Sequence, residues 1–288
     1  MQTLWALLKI SRLHNTIPLA FVPFMGAIAF KNVIQVGQYI SWQCFFFLTV
    51  SFLALMVATA MINDFFDVDI DKINRPNRPL ASEKITPQTV IIAATLLTTA
   101  AVLTLWIVFG TVEGLIAVAT SILNFLYSKH LKLTGTFGEA IISASNGLGL
   151  FLGDYAVNNT IRFSTIFLYV VMLGFFLAFT WLATIPDVKG DSLKCSKTFA
   201  VTKGVAAAGK YAFILAIFTV LVTYLSVPYV RHPLNYGLAL SAIHIYTVVS
   251  FALAMLNAKR EDFRLFYFLT GLATYLEVAG LVIISALL

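Results

Sequence analysis

The stretch NDFFDVDIDKINRPNRP, residues 63–79, places four aspartates at the end of a long apolar segment. If Asp64, Asp67 and Asp71 continue a helix, offsets of three and four residues bring their carboxylates onto one face. Carboxylates gathered in this way can jointly hold a hard divalent cation. Asp69 lies off that face, and we interpret it as a solvated loop charge.

A second acidic segment, IPDVKGDSLK, occupies residues 185–194. It places Asp187 and Asp191 at an i, i+4 spacing, again just beyond an apolar segment and again among lysines. Mg²⁺ is usually bound by one or two carboxylates together with phosphate oxygens and waters. A single loop aspartate more often caps a helix or pairs with a neighbouring cation. Two clusters at matched spacings instead indicate a site for Mg²⁺ and a diphosphate.

The composition places the chain in a membrane. Apolar residues make up 60% of the sequence and charged residues 11%, against roughly 45–50% and about 25% in soluble domains. A helix needs about 20 apolar residues to cross the hydrocarbon core. Nine segments qualify: 15–31, 41–62, 88–109, 111–128, 136–157, 163–185, 208–228, 234–257 and 264–287. We therefore predict an all-α, polytopic membrane protein that forms one domain over residues 1–288.

The order of the segments predicts an internal repeat. Each acidic cluster follows an even-numbered span and precedes a basic loop and two further spans. This pattern divides the chain into two four-helix repeats plus a ninth helix, and membrane proteins commonly place their site between such repeats. Residues 2–14, which mix leucines with Lys9 and Arg12, are typical of a short interfacial helix.

The distribution of lysine and arginine predicts the orientation, because these residues are retained on the cytoplasmic side. The N-terminal segment and the loops after the even-numbered spans hold fifteen of the 19, and the opposite loops hold three. The N terminus and both acidic clusters should therefore face the cytosol. Since this topology accounts for the positive charge, we expect the lipid bilayer and no nucleic acid as a partner.

The cations near the acidic clusters suggest a reaction. A diphosphate in a low-dielectric cavity needs metal ions and cations to neutralise it. The candidates for this clamp are Arg75, Arg78, Lys189, Lys194 and Lys197. If the diphosphate is esterified to an allylic isoprenoid, such neutralisation makes it a good leaving group, and the C–O bond ionises to an allylic cation.

Several of these motifs resemble those of one family. The pattern Asn63-Asp64-x-x-Asp67-x-x-x-Asp71, followed by Arg75-Pro76-x-Arg78-Pro79, resembles the first signature of the UbiA superfamily of intramembrane prenyltransferases. Asp187-x-x-x-Asp191 resembles the second signature, and Tyr127-Ser128-x-x-Leu131-Lys132 resembles a short motif that closes the fourth span. Arg12 and Asn15 match residues that many members carry at the start of the first span. The resemblance covers essentially the whole chain.

The resemblance implies roles for individual residues. Asp64, Asp67, Asp187 and Asp191 would lie nearest the Mg²⁺ ions, with Asp71 in support. Asn63, Arg75, Lys132 and Lys189 would help to hold the diphosphate, and Tyr127 would contact the phosphate or the nascent cation. Further substrate-binding candidates are Arg12, Asn15, Arg78, Lys194 and Asn146. The prenyl tail, expected to be C15–C20, would lie in a lateral apolar tunnel open to lipid.

The identity of the acceptor stays open at this level. Both loops resemble the branch that contains geranylgeranylglyceryl phosphate and homogentisate prenyltransferases, but Glu139 stands where several relatives carry Asn. We therefore expect transfer to a lipophilic acceptor of aromatic or glycerol-phosphate type. Asn146 and Glu139 either shape the pocket for this acceptor or bond to neighbouring helices. The alternative is a terpene cyclase, which needs no acceptor. A transporter is disfavoured, since midplane ion sites would be expected there.

Three further polar residues of the predicted spans have less specific interpretations. His244 and Glu277 are expected to be structural partners in the last spans, because intramembrane polar groups usually face the protein interior. Asp154, near the far end of the fifth span, is expected to lie at the membrane interface.

Overall fold

A computed structural model describes residues 2–29, 41–193, 196–230, 232–260 and 263–287. These residues form helices joined by turns and contain no strand, which confirms the all-α prediction. The helices are α1 (Gln2–Ile10), α2 (Leu13–Ala20), α3 (Val22–Ile28), α4 (Trp42–Phe66), α5 (Val68–Asn74), α6 (Pro87–Val108), α7 (Thr111–Lys129), α8 (Thr136–Asn158), α9 (Phe163–Ala183), α10 (Val188–Leu193), α11 (Phe199–Lys203), α12 (Val205–Thr223), α13 (Pro233–Asn257) and α14 (Arg264–Leu287). Short 3₁₀ turns occupy Leu131–Thr134, Ile185–Asp187 and Tyr224–Tyr229.

Within the described residues, eight helical segments are long and apolar enough to cross a membrane. They correspond to the second through ninth predicted spans, so the protein is an integral, multi-pass membrane protein. Apolar side chains such as Ile107, Phe163 and Leu256 remain exposed on their outer faces, as expected for contact with lipid.

The first predicted span differs from the expectation. Residues 15–29 form parts of two short helices, α2 and α3, and residues 30 and 31 lie outside the described part of the chain. Proline lacks a backbone N–H, so Pro23 near the start of α3 cannot continue the hydrogen bonding of α2. The apolar stretch Leu13–Ile28 is accordingly a shorter, broken unit rather than one long helix.

The helix α3 packs closely against α8 because glycines bring the two backbones into contact. A Cβ atom at Gly26 would lie 2.0 Å from the carbonyl oxygen of Leu150, and one at Gly153 would lie 1.6 Å from that of Pro23. No larger residue fits at either position. This contact places α3, from the first half of the chain, beside α8, the fifth span and the first of the second half. Direct packing between the two halves agrees with a site that lies between them.

In each half of the chain, one long helix is followed closely by a short helix that carries acidic residues. α4 is followed at once by the short helix α5, and α9 is followed by the turn Ile185–Asp187 and the short helix α10. α5 and α10 then contact each other. This recurrence agrees with the predicted repeat and brings the two acidic segments to the same end of the molecule.

Candidate active site

The first acidic segment keeps helical spacing across a break in the helix. Asp67 separates α4 from α5, but its N–H still donates to the carbonyl oxygen of Asn63 at 2.9 Å, and the N–H of Asp71 donates to that of Asp67 at 2.8 Å. Asp64, Asp67 and Asp71 are all buried. The predicted alignment of three carboxylates is therefore preserved.

A cavity of about 250 Å³ lies between the two acidic segments. Most of the predicted site residues line it: Arg12, Asn15, Asn63, Asp67, Asp71, Arg75, Arg78, Tyr127, Lys132, Asn146, Asp187 and Asp191. Apolar residues such as Leu19, Met56 and Ile142 complete the wall. Charged groups from distant parts of the sequence thus face one partly apolar space.

Two arginines form ion pairs with carboxylates of the first acidic segment. Arg78 Nη1 lies 3.1 Å from Asp64 Oδ1 and 2.5 Å from Asp71 Oδ2, and Arg12 also binds Asp64. Burial raises the pKa of Asp71, and its ion pair with Arg78 offsets this only in part. Burial lowers the pKa of Arg78, but the carboxylates of Asp64 and Asp71 outweigh that effect and raise it overall. Enclosed by both arginines, Asp64 does not line the cavity.

Lys132 connects the two segments. Its Nζ lies 2.7 Å from Asp67 Oδ2 and 4.0 Å from Asp191 Oδ1, and Asn63 Nδ2 donates to the same Asp67 oxygen at 2.9 Å. Burial by itself would lower the pKa of Lys132. The nearby carboxylates of Asp67 and Asp191 outweigh that effect and raise the pKa above its usual value, so the side chain stays cationic. One ammonium group therefore faces carboxylates from both acidic segments.

The second segment carries buried carboxylate oxygens that lack hydrogen-bond partners. Among the described residues, neither oxygen of Asp191 has one, and Oδ1 of Asp187 has none, while Oδ2 of Asp187 accepts from Arg75 at 2.9 Å. Buried anionic oxygens without partners are costly, and a bound cation satisfies them. The donor set therefore fits a hard divalent ion.

The described carboxylate, imidazole and thiol groups form no cluster of three that could hold a metal ion by themselves. A cation at Asp187 and Asp191 would have to take its remaining ligands from water or from a bound anion. Mg²⁺ commonly binds in that way, through one or two carboxylates and the phosphates of a substrate.

Residues 17–272 match the sequence profile of the UbiA prenyltransferase family. The chain belongs to the UbiA prenyltransferase family. A digeranylgeranylglyceryl phosphate synthase from Korarchaeum cryptofilum is 33% identical over 214 residues, which are 73% of this chain and 74% of that protein. One from Ignicoccus hospitalis is 31% identical over 231 residues, which are 77% and 72% of the two chains.

Solved structures share the fold of this prenyltransferase. A UbiA homologue from Archaeoglobus fulgidus bound to DMAPP and Mg²⁺ superposes with a TM-score of 0.69 at 16% identity, over 100% of this chain and 99% of that one. A structure from work on digeranylgeranylglyceryl phosphate synthase in membranes has a TM-score of 0.70 at 19% identity, over 99% of both chains. At these identities the superpositions establish the fold alone.

Of the described cations predicted to bind the diphosphate, Lys189 and Lys197 do not line the cavity. Lys189 is exposed and does not line it. The reason is helical geometry, since residues two apart in α10 do not share a face, and Asp187 and Asp191 occupy the face toward the cavity. Lys194 lies outside the described residues. The cations that line the cavity of this UbiA prenyltransferase come from the first acidic segment, from the turn that follows α7 and from the N-terminal region. They are Arg75, Arg78, Lys132 and Arg12.

Of the two roles left open for Glu139, the structure shows a bond to a neighbouring helix. Glu139 is buried, does not line the cavity, and its Oε1 accepts a hydrogen bond from the backbone N–H of Phe199 at 3.0 Å. It therefore holds the first residue of α11, in the segment that follows the second acidic cluster. Asn146, the other residue suggested for an acceptor pocket, does line the cavity.

The remaining intramembrane polar residues have structural contacts. His244 Nε2 lies 3.4 Å from Glu277 Oε2 in the interior, as partners in the last spans should. Asp154 is fully buried within the protein and accepts from Arg162 Nε at 2.6 Å, and its position at the membrane interface stays a prediction. The alternation of apolar and polar residues alone could not show that this carboxylate turns inward toward an arginine.

Sequence reasoning did not identify two residues of this region. Tyr267, from the last helix, lines the cavity, and no local motif marks it. Asn74 hydrogen-bonds to the second acidic segment from the first. The sequence feature that could have identified Asn74 is its position directly before Arg75, between the acidic and the basic parts of the same motif.

Proposed function

We propose that this prenyltransferase transfers a geranylgeranyl or farnesyl group from its diphosphate to a glycerol-phosphate acceptor, in a Mg²⁺-dependent reaction that releases diphosphate. The observation that carries the proposal is the position of Lys132 between Asp67 and Asp191 at one end of a shared cavity. Acidic groups of both segments can then act on the same ligand.

The residues of the cavity would bind the diphosphate by exchanging partners. Arg75 and Lys132 now pair with Asp187 and Asp67, and both line the cavity. If the carboxylates held a metal ion, Arg75 and Lys132 would be free to turn toward phosphate oxygens. Asp187 and Asp191 would hold Mg²⁺ together with phosphate oxygens and water, and the ion would supply the positive charge that makes diphosphate a better leaving group.

The reaction itself breaks one bond and forms another. The C1–O bond of the prenyl diphosphate breaks, and its electron pair leaves with the diphosphate. The hydroxyl oxygen of the acceptor then bonds to C1, and its proton passes to the departing diphosphate. Tyr127 lines the cavity and offers the face of an aromatic ring to the developing cation. The apolar wall keeps water from that cation.

The acceptor class rests on the named relatives. The Korarchaeum and Ignicoccus proteins are both digeranylgeranylglyceryl phosphate synthases, and alignments to them cover about three quarters of this chain. The acidic loops resemble the same branch. A glycerol-phosphate acceptor is therefore favoured over an aromatic one.

The experiment gives the purified protein geranylgeranyl diphosphate and Mg²⁺ in three parallel reactions. One contains geranylgeranylglyceryl phosphate, one contains homogentisate, and one contains no acceptor. Mass spectrometry should detect the diether phosphate in the first reaction alone, and EDTA should abolish it. A prenylated aromatic product would overturn the acceptor class. A cyclic hydrocarbon formed without acceptor, in stoichiometry with released diphosphate, would identify a terpene cyclase instead.

We further propose that the cavity opens toward the cytosol, since fifteen of the 19 lysines and arginines belong to that side. The exposed Asn77 lies in the loop that follows α5. A single cysteine at this position, in a chain without Cys44 and Cys195, should react with a membrane-impermeant maleimide in inside-out vesicles. Labelling in right-side-out vesicles alone would reverse the orientation.

A further inference from the structure

Asn74 joins the two acidic segments through both ends of its side-chain amide. Its Nδ2 donates to the backbone carbonyl oxygen of Asp187 at 3.0 Å. Its Oδ1 accepts from the backbone N–H of Gly190 at 2.9 Å. Asp187 is itself one of the two acidic residues of the second segment, and Gly190 directly precedes the other, Asp191. A single amide therefore holds the backbone beside both carboxylates.

The absence of a side chain at Gly190 lets this amide approach. A Cβ atom there would lie 2.5 Å from Nδ2 of Asn74 and 2.8 Å from both Cγ and Oδ1. These distances are shorter than van der Waals contact, so even a methyl group would push the amide away. The glycine lies within α10 and is buried.

The two hydrogen bonds join the end of one short helix to the start of another. Asn74 is the last residue of α5, and Gly190 belongs to the first turn of α10. Backbone N–H groups in the first turn of a helix have no partner within the helix and need an acceptor from outside. Asn74 supplies that acceptor from the opposite half of the molecule.

Arg75, the next residue, binds the side chain of Asp187 rather than its backbone, at 2.9 Å. That ion pair is expected to rearrange when a diphosphate enters. The bonds of Asn74 involve a neutral amide and backbone groups, and neither Asn74 nor Gly190 lines the cavity, so the bonds need not break when ligand binds. The amide can therefore hold the two segments together throughout turnover.

We propose that Asn74 is a positioning residue, which sets the separation of the two acidic segments so that their carboxylates share one metal-bound diphosphate. This inference rests on the proposed function, since it concerns the same site. It assigns Asn74 a role through the backbone of Asp187 and Gly190 and no contact with substrate.

The first test measures the hydrogen bond directly, without ligand. Hydrogen–deuterium exchange followed by mass spectrometry reports the protection of a peptide that contains Gly190. In Asn74→Ala this amide should exchange about tenfold faster, as expected for loss of one buried hydrogen bond. The matched control is Asn77→Ala, which changes an exposed asparagine three positions later. Unchanged exchange in Asn74→Ala would overturn the proposal.

The second test measures binding of metal and diphosphate. Free Mn²⁺ is quantified by electron paramagnetic resonance as it is titrated into protein with inorganic diphosphate. Asn74→Ala should bind Mn²⁺ at least about tenfold more weakly than the wild type, because two separated segments lose effective concentration toward one ligand. Circular dichroism in EDTA should show that Asn74→Ala is as fully folded as Asn77→Ala at the temperature of the titration, although the lost hydrogen bonds lower its melting temperature. Wild-type affinity in Asn74→Ala would refute the positioning role and leave the proposed function intact.

Failure of the proposed function has a different result in the same titration. If the wild-type protein itself binds no Mn²⁺ with diphosphate, then the metal–diphosphate site is absent, and the positioning role falls with it. The two failures are therefore distinguished by the wild-type measurement alone.

Gly190→Ala approaches the same contact from the other side. The new methyl group should displace the Asn74 amide and weaken Mn²⁺–diphosphate binding as strongly as Asn74→Ala does. In the Asn74→Ala background the clash is relieved, so Gly190→Ala should have little additional effect. Fully additive effects would show that the two residues act independently and would overturn the proposal. The single glycine variant also keeps the test decisive if Asn74→Ala fails to fold.

Discussion

The ammonium group of Lys132 lies 2.7 Å from a carboxylate oxygen of Asp67, which stands 65 residues earlier in the chain. The same group faces the buried Asp191 at 4.0 Å. Together with the Arg75–Asp187 ion pair, Lys132 links charged groups of the two halves of this prenyltransferase. Its position makes the consequences of several substitutions predictable.

Replacement of Lys132 by methionine removes the cation that faces both acidic segments. We expect kcat/KM to fall by about 100-fold or more, since preorganised charge at a leaving group contributes on this scale. Lys132→Arg should recover part of the loss, and the exposed Lys129→Met should have little effect. Steady-state kinetics with geranylgeranyl diphosphate check these values. Activity of Lys132→Met close to that of Lys129→Met would remove Lys132 from the site.

Asp191→Asn should separate stability from activity. Both carboxylate oxygens of Asp191 are buried without hydrogen-bond partners among the described residues, so the charge costs free energy when no metal is bound. In EDTA the variant should be more stable than the wild type by about 1 kcal/mol, while its turnover with Mg²⁺ is lost. Thermal unfolding with and without Mg²⁺ measures both effects. A destabilised variant in EDTA would show that the carboxylate is satisfied within the protein.

Glu139→Ala should lower stability without a specific effect on the acceptor. The substitution leaves the backbone N–H of Phe199 without its acceptor, at a cost of about 1–3 kcal/mol for a buried group. Glu139→Gln keeps an oxygen acceptor and should cost less. Melting temperature and KM for the acceptor are the two measurements. A raised KM at unchanged stability would instead place Glu139 in the acceptor pocket.

Asp154→Ala should be strongly destabilising, although Asp154 belongs to neither acidic segment and has no predicted role in the reaction. Asp154 accepts from both the backbone and the side chain of Arg162, and Arg162 in turn donates to the carbonyl oxygens of Gly26 and Ala29. Loss of one partner of a buried ion pair costs about 3–5 kcal/mol. Chemical denaturation measures the loss, and kcat of the remaining folded enzyme should stay near the wild-type value. A selective loss of kcat would contradict a purely structural role.

Local patterns predicted the parts of this fold that depend on local physics. Long apolar runs identified each of the membrane-spanning helices found in the described residues, because burial in lipid requires such runs. The first span was the exception. There Pro23 interrupts the hydrogen bonds of an otherwise apolar helix, and hydropathy does not register a missing backbone N–H.

Among the charged residues predicted for the site, some line the cavity and others do not. Motif spacing brought Asp67, Asp71, Asp187 and Asp191 to one cavity correctly. Nearness in sequence also suggested Lys189, which lies beside these aspartates in the chain yet turns to the exposed side of α10. Side-chain direction in a short helix depends on how that helix is rotated against its neighbours, and sequence proximity carries little information about that rotation.

The sequence by itself determined that the chain crosses a membrane as a helical protein and carries two acidic segments suited to a metal-bound diphosphate. Apolar length and carboxylate spacing are local properties, and they can be read without knowledge of the packing. Only the tertiary structure decided which cations join the carboxylates, since Arg12 and Lys132 reach their partners across helix contacts between residues far apart in the chain. The same is true of the neutral amide of Asn74, which bonds to the backbone of the second acidic segment. Those pairings follow from close helix packing, such as that at Gly26 and Gly153, where the shapes of whole faces must fit.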